Sequence, residues 1–232
     1  MNLPRYPGNV LVTGGASGLG AATVAAVREA GGLPLVIDRA PPAEPVRHVL
    51  ADVSETGAAE AAVGELAEQA GGRIDAVFTA AGVDACGALD AVPAKDWERV
   101  VQVNLLGTAA VVRAALPFLR RSRGTVVTCA STLGLRAVGD ATAYCAAKHG
   151  VVGFTRALAA ETAGEVGVTM LVPGGMDTHF FDDREEQYRP PADAELNQPG
   201  HVARTVLFAL GQPPGSEVRE LVVCCSREGS WP

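Results

Sequence analysis

Tyr144 and Lys148 stand four residues apart in the stretch "ATAYCAAKHG" (141–150). On a helix, that spacing puts a phenol and an ammonium on one face, about one turn from each other. A cation there favours the phenolate, and a phenol of lowered pKa can accept or donate a proton near neutral pH. The same pair would also arise in an ordinary alanine-rich helix with a solvated lysine. A second group of chemical interest is "VTGGASGLG" (12–20), with glycines at 14, 18 and 20 and Ser17 and Leu19 between them. Such a loop permits a tight turn and close backbone approach to a pyrophosphate, and the helix N-terminus behind it offers unpaired N–H groups. The loop alone does not separate a nicotinamide from a flavin or S-adenosylmethionine.

Asp38 sharpens the assignment. It ends the second apolar run, at the distance beyond Gly20 where an acid accepts hydrogen bonds from an adenosine ribose. A carboxylate there repels a 2′-phosphate and Ser17 brings no cation, which favours NAD over NADP. Arg39 beside it leaves NADP open as the less favoured alternative. The four histidines show no metal-ligand spacing, and no metal site is expected.

These groups need a scaffold, and the apolar pattern supplies one. Runs at 9–13, 33–38, 46–52, 74–80, 124–130, 167–172 and 220–225 read as strands, nearly continuous in apolar character as in a sheet covered on both faces. Helical patterns lie between most of them, at 18–31, 54–70, 94–122 (broken near Asn104 or Gly107), 142–163 and 199–211. The expected fold is therefore α/β: a single Rossmann-type domain over 1–232 with a seven-stranded, mostly parallel, doubly wound sheet. Ligands should bind at the carboxyl edge of the strands. The polar stretch 174–198 follows a strand at that edge and reads as a substrate lid.

With these elements in place, the chain resembles the short-chain dehydrogenase/reductase family over essentially its whole length. The resemblance rests on "TGGASGLG", the pair Asp52-Val53, Asn104 in "VNLLG", Ser131, "YCAAK" and "PGGMDT", in that order. It implies NAD(P)-dependent hydride transfer between nicotinamide and a secondary alcohol or its ketone. Tyr144 would be the general acid/base and Ser131 the donor to the carbonyl oxygen. Lys148 would tune the phenol and hold the nicotinamide ribose, and Asn104 would place a water. By the same resemblance, Asp52 and Val53 approach the adenine and Ala81 and Gly82 the cofactor ribose. Pro173, Gly174, Met176 and Thr178 lie at the nicotinamide end. Substrate contacts would come from Ser131, Tyr144, Leu133, Gly175, His179 and Phe180. The run "TAAG" (79–82) departs from the family pattern, with Ala80 where an asparagine that braces the sheet is common.

The bulk properties bound the partners. A net charge of −7 without clustered basic residues argues against nucleic acid. No run of about 18 apolar residues suggests a membrane span, and the N-terminus lacks the pattern of a secretory signal. Five dispersed cysteines suit free thiols in a reducing cytoplasm, with Cys224 and Cys225 read as strand neighbours rather than a vicinal disulfide. Apolar residues on more than one face of 107–122 and 142–163 suggest a homodimer or homotetramer. Asp182, Asp183, Glu185 and Glu186 against Arg184 and Arg189 in the lid favour a neutral small-molecule substrate. The alternatives are a non-catalytic NAD(P)-binding sensor or scaffold on the same fold, and a methyltransferase with no use for Ser131, Tyr144 and Lys148 together.

Overall fold

A computed structural model describes residues 7–213 and 215–230. Trp231, whose indole would suit a cover for the core, lies outside them. The strands are β1 (Asn9–Thr13), β2 (Leu33–Asp38), β3 (Arg47–Leu50), β4 (Ala76–Thr79), β5 (Thr125–Cys129), β6 (Gly167–Pro173) and β7 (Glu220–Val223). The α-helices are α1 (Gly18–Glu29), α2 (Thr56–Gln69), α3 (Ala94–Val101), α4 (Thr108–Ser122), α5 (Thr142–Glu161) and α6 (Pro199–Leu210). The sheet runs β3-β2-β1-β4-β5-β6-β7, and every neighbouring pair is parallel.

Alternation along each strand decides which helices cover which face. In β1, Leu11 faces α2 and α4 through Val63, Leu66, Val111, Ala115 and Leu119. Its neighbours Val10 and Val12 face α1 and α6 through Val24, Val27, Val202 and Val206. Each fully buried Val or Leu in these two layers contributes roughly 1.5–3 kcal/mol. The two layers hold the strands so that all carboxyl ends reach one edge. Strand order reverses between β1 and β4, so the loops after these strands open a crevice there.

The break anticipated near Asn104 or Gly107 is a π-helical turn, Gln102–Gly107, which joins α3 to α4 without interrupting the helix. The resulting helix 94–122 has the length and hydropathy of a membrane span, contrary to the expectation that no such segment exists; half of the qualifying stretch is buried in the protein, as in a core helix. Strand β7 stops at Val223, short of the expected 225, and Cys224 and Cys225 follow it as free thiols. The lid stretch holds two short 3₁₀ turns, His179–Phe181 and Glu186–Tyr188, and a bridge from Met176 to Asn197.

Candidate active site

The glycine loop begins where β1 ends. Gly14 takes a left-handed φ of 70°, and a side chain at Gly20 would place its Cβ 1.9 Å from the Gly14 carbonyl oxygen. Only glycine closes this turn. The first helical bond of α1 runs from the Ala21 N–H to the Ser17 carbonyl, so the N–H groups of Gly18, Leu19 and Gly20 have no partner within the helix. Such donors suit a phosphate.

The Asp38 carboxylate takes the Ala16 N–H at 2.9 Å and the Ala40 N–H at 3.1 Å. It is thereby fixed against the loop, and two of its about four acceptor positions remain for hydroxyl donors. Arg39 beside it is exposed. Together the orphan N–H cradle and the fixed carboxylate fit the diphosphate and the ribose of a dinucleotide.

Asp52 sits further along the same edge, and Arg99 reaches its carboxylate at 2.9 Å. The Ser54 N–H and hydroxyl hold the other oxygen. Burial alone would raise this carboxyl, but Arg99 and Ser54 together bring it down to about 2. A depressed carboxyl contributes stability above its unfolded pKa near 4, and that contribution is lost as pH falls toward 2. Arg99→Gln should therefore melt several degrees below wild type at pH 6, with the gap closing near pH 2. A constant gap across that range, read by thermal unfolding followed by circular dichroism, would discount the ion pair.

The loop beyond β4, which begins at Ala80, is held by two sets of contacts. The Ala81 N–H donates to the Thr13 hydroxyl at 3.1 Å. Asn104, buried in the π-helical turn, takes the Val83 N–H at 3.1 Å and donates to the Val83 carbonyl at 2.7 Å. Its side chain is thus engaged in holding the loop after β4. Its main-chain carbonyl oxygen accepts the Thr108 hydroxyl at 2.9 Å.

Ser131 follows β5 and caps the short turn Thr132–Gly134, its Oγ accepting the Leu133 N–H at 3.1 Å. With one lone pair so used, the hydroxyl still has its proton to donate. Tyr144 and Lys148 project from the first turns of α5. Lys148 is buried, donates to the Cys129 carbonyl at 2.8 Å, and lies 5.5 Å from the Tyr144 ring centre.

Burial pushes the Tyr144 phenol well above its ordinary value, and Asp84 and Cys129 nearby push the same way. Ser131, within hydrogen-bonding reach, pulls it down, as does Arg184. Burial also lowers Lys148. The depressed phenol expected from the Tyr–Lys spacing is therefore not a property of these side chains alone.

The loop 173–178 closes the site from the β6 side, with the Thr178 side chain 3.5 Å from the Cβ position at Gly18. Phe180 packs on Tyr144 with ring centres 5.7 Å apart. His179 does not join it: its side chain is 88% exposed and pairs with Asp182. Arg184 is the feature that lid composition did not reveal. It lies against the Phe180 and Phe181 rings and meets the Asp84 carboxylate at 2.5 Å, pinning the lid across the site. Arg189, though exposed, also bonds within this stretch, donating to the carbonyls of Asp182 and Arg184. Outside this latch, Thr178, Phe181, Arg189 and Pro190 help to line a cavity of about 500 Å³.

Residues 8–189 match the family model described as short chain dehydrogenase. Among curated relatives, levodione reductase of Leifsonia aquatica is 36% identical over 78% of this chain and 74% of its own. The (2S)-[(R)-hydroxy(phenyl)methyl]succinyl-CoA dehydrogenase subunit BbsD of Thauera aromatica is 33% identical over 93% of this chain and 94% of its own. Among solved structures, the aldohexose dehydrogenase of Thermoplasma acidophilum superposes with a TM-score of 0.85 at 23% identity, covering 94% of this chain and 92% of the other. The alcohol dehydrogenase of Thermococcus sibiricus, solved with 5-hydroxy-NADP, gives 0.84 at 23% identity, covering 93% and 95%. These two share the fold. With the glycine loop, Ser131, Tyr144 and Lys148 gathered at one sheet edge, the chain belongs to the short-chain dehydrogenase/reductase family of nicotinamide-dependent oxidoreductases.

Proposed function

We propose that the protein interconverts a neutral secondary alcohol and its ketone with NAD as the favoured cofactor, using Tyr144 as general acid/base. The convergence of Ser131, Tyr144 and Lys148 beside the glycine loop carries this reading. Bound nicotinamide gives or takes the hydride and, when oxidised, adds a positive charge beside the phenol. Ser131 donates a hydrogen bond to the substrate oxygen and stabilises charge developing there. Tyr144 delivers the proton to that oxygen in reduction and removes it in oxidation. Lys148, with one of its protons fixed on the Cys129 carbonyl, keeps a cation beside the phenol and has further donors for the ribose. Gly18, Leu19 and Gly20 receive the diphosphate.

Asp38 supports NAD, because its carboxylate already closes the space at the end of β2 against the loop. A neutral substrate is supported by the lid, where the Arg184 charge is paired with Asp84 and Arg189 donates to two backbone carbonyls. NADH consumption with a panel of neutral ketones should exceed NADPH consumption at least about tenfold in kcat/KM, and Asp38→Ser should narrow or invert that ratio. Equal use of both cofactors by wild type would overturn the NAD assignment. Absence of turnover with every ketone, despite NADH binding, would favour the sensor reading.

A further inference from the structure

The segment after β7 returns to the active site. The Glu228 Oε2 accepts the Gly175 N–H at 2.9 Å. Its Oε1 accepts the Ser230 N–H at 3.1 Å and the Ser230 hydroxyl at 2.7 Å. Ser230 Oγ in turn lies 2.7 Å from the hydroxyl of buried Thr132. With its own proton on Glu228, Ser230 must accept from Thr132. The hydrogen bonds therefore run in one direction, from the residue next to Ser131 to the Glu228 carboxylate, which is seated against the loop 173–178. A side chain at Gly174 would put its Cβ 2.1 Å from Glu228 Oε2, so the glycine leaves the seat that this carboxylate fills.

The same segment is tied to the end of the lid. Arg227 pairs with Glu195, and the Cys225 thiol donates to the Glu195 carbonyl at 2.8 Å. The Asn197 amide donates to the Val223 carbonyl at 3.1 Å, and the Asn197 N–H to the Gly175 carbonyl. Residues 223–230 thus contact the lid, the loop at the end of β6 and the turn after Ser131. Burial would raise the Glu228 carboxyl, but the Ser230 and Gly175 donors hold it below the ordinary range. It is ionised at neutral pH and a strong acceptor.

We propose that Glu228 is a positioning residue for the nicotinamide end of the cofactor. It fixes the backbone of Gly174–Gly175, which leads into Met176 and Thr178, and couples that loop through Ser230 and Thr132 to Ser131. This rests on the reading of loop 173–178 as the nicotinamide contact. Glu228 itself touches neither the glycine loop nor Asp38 in the bonds described, so its influence is confined to one end of the dinucleotide.

ADP-ribose, which has the diphosphate and adenosine but no nicotinamide, separates the two ends. In calorimetric titrations, Glu228→Ala is expected to weaken NADH at least fivefold while ADP-ribose stays within twofold of wild type. Glu228→Gln keeps an oxygen for the Gly175 N–H and should recover most of the NADH affinity. Unchanged NADH binding, equal weakening of both ligands, or a Gln variant as weak as Ala would overturn the proposal. If Glu228→Ala does not fold, Ser230→Ala carries the same test with the same split expected. Wild type that binds ADP-ribose and NADH equally would show that loop 173–178 does not hold nicotinamide. Wild type that binds neither would overturn the cofactor reading, and this inference with it.

Discussion

Tyr144→Phe should lower kcat by about a thousandfold or more, within the range that a positioned acid/base supplies, while NADH affinity stays within about twofold. The change removes one oxygen and keeps the ring, so the contact with Phe180 and the packing of α5 survive. What is lost is the hydroxyl proposed to move the proton, and its link to Ser131. Stopped-flow and steady-state NADH consumption with the best ketone measure the rate, and fluorescence titration measures cofactor binding. A variant that turns over at a tenth of the wild-type rate, with cofactor bound normally, would mean that another group carries the proton.

Lys148→Met should cost about a hundredfold in kcat and move the rising limb of the pH profile for oxidation to higher pH. A cation 5.5 Å from the ring centre acts on a phenolate with roughly 3 kcal/mol at an effective dielectric constant near 20, or about two pH units. The sign follows from the chemistry. In the oxidation direction Tyr144 must be deprotonated, so activity rises as pH passes the phenol pKa. Without the cation that pKa goes up and the rise occurs at higher pH. Methionine approximates the lysine stem in volume but leaves the Cys129 carbonyl without its donor, which costs about 1–3 kcal/mol. The variant should therefore also melt several degrees lower. A pH profile that does not move, in a variant that is merely less stable, would leave Lys148 a structural lysine.

The fold was largely legible because strands buried on both faces write themselves as apolar runs and the helices between them as alanine-rich periodic stretches. The seven strands and their order-setting loops stand within a few residues of expectation. The candidate site was legible where local spacing carries it, as in the glycine turn and the four-residue step from Tyr144 to Lys148. Contacts made by distant segments were not. Nothing in the local sequence says that Arg184 closes on Asp84, or that Arg99 holds Asp52. His179 sits beside Phe180 in the chain, yet the 3₁₀ turn sends it to solvent. The phenol also showed a limit of reasoning from charge alone, since burial outweighs the favourable neighbours.

The π-helical turn at 102–107 has a consequence for chain length. Val100 and Val111 would fall on nearly the same side of a regular α-helix. Here Val100 packs with Ala143 and Ala147 of α5, next to Tyr144, while Val111 packs with the layer of α2. The wide turn holds more residues per revolution and shifts the phase between the two halves. One helix thereby serves two partners, and Trp97 reaches the Thr142 hydroxyl at the start of α5. The spacing through this stretch acts as a phase setting for the active-site helix. A one-residue gap there in a homologous chain would mark a protein whose tyrosine stands on a differently packed support.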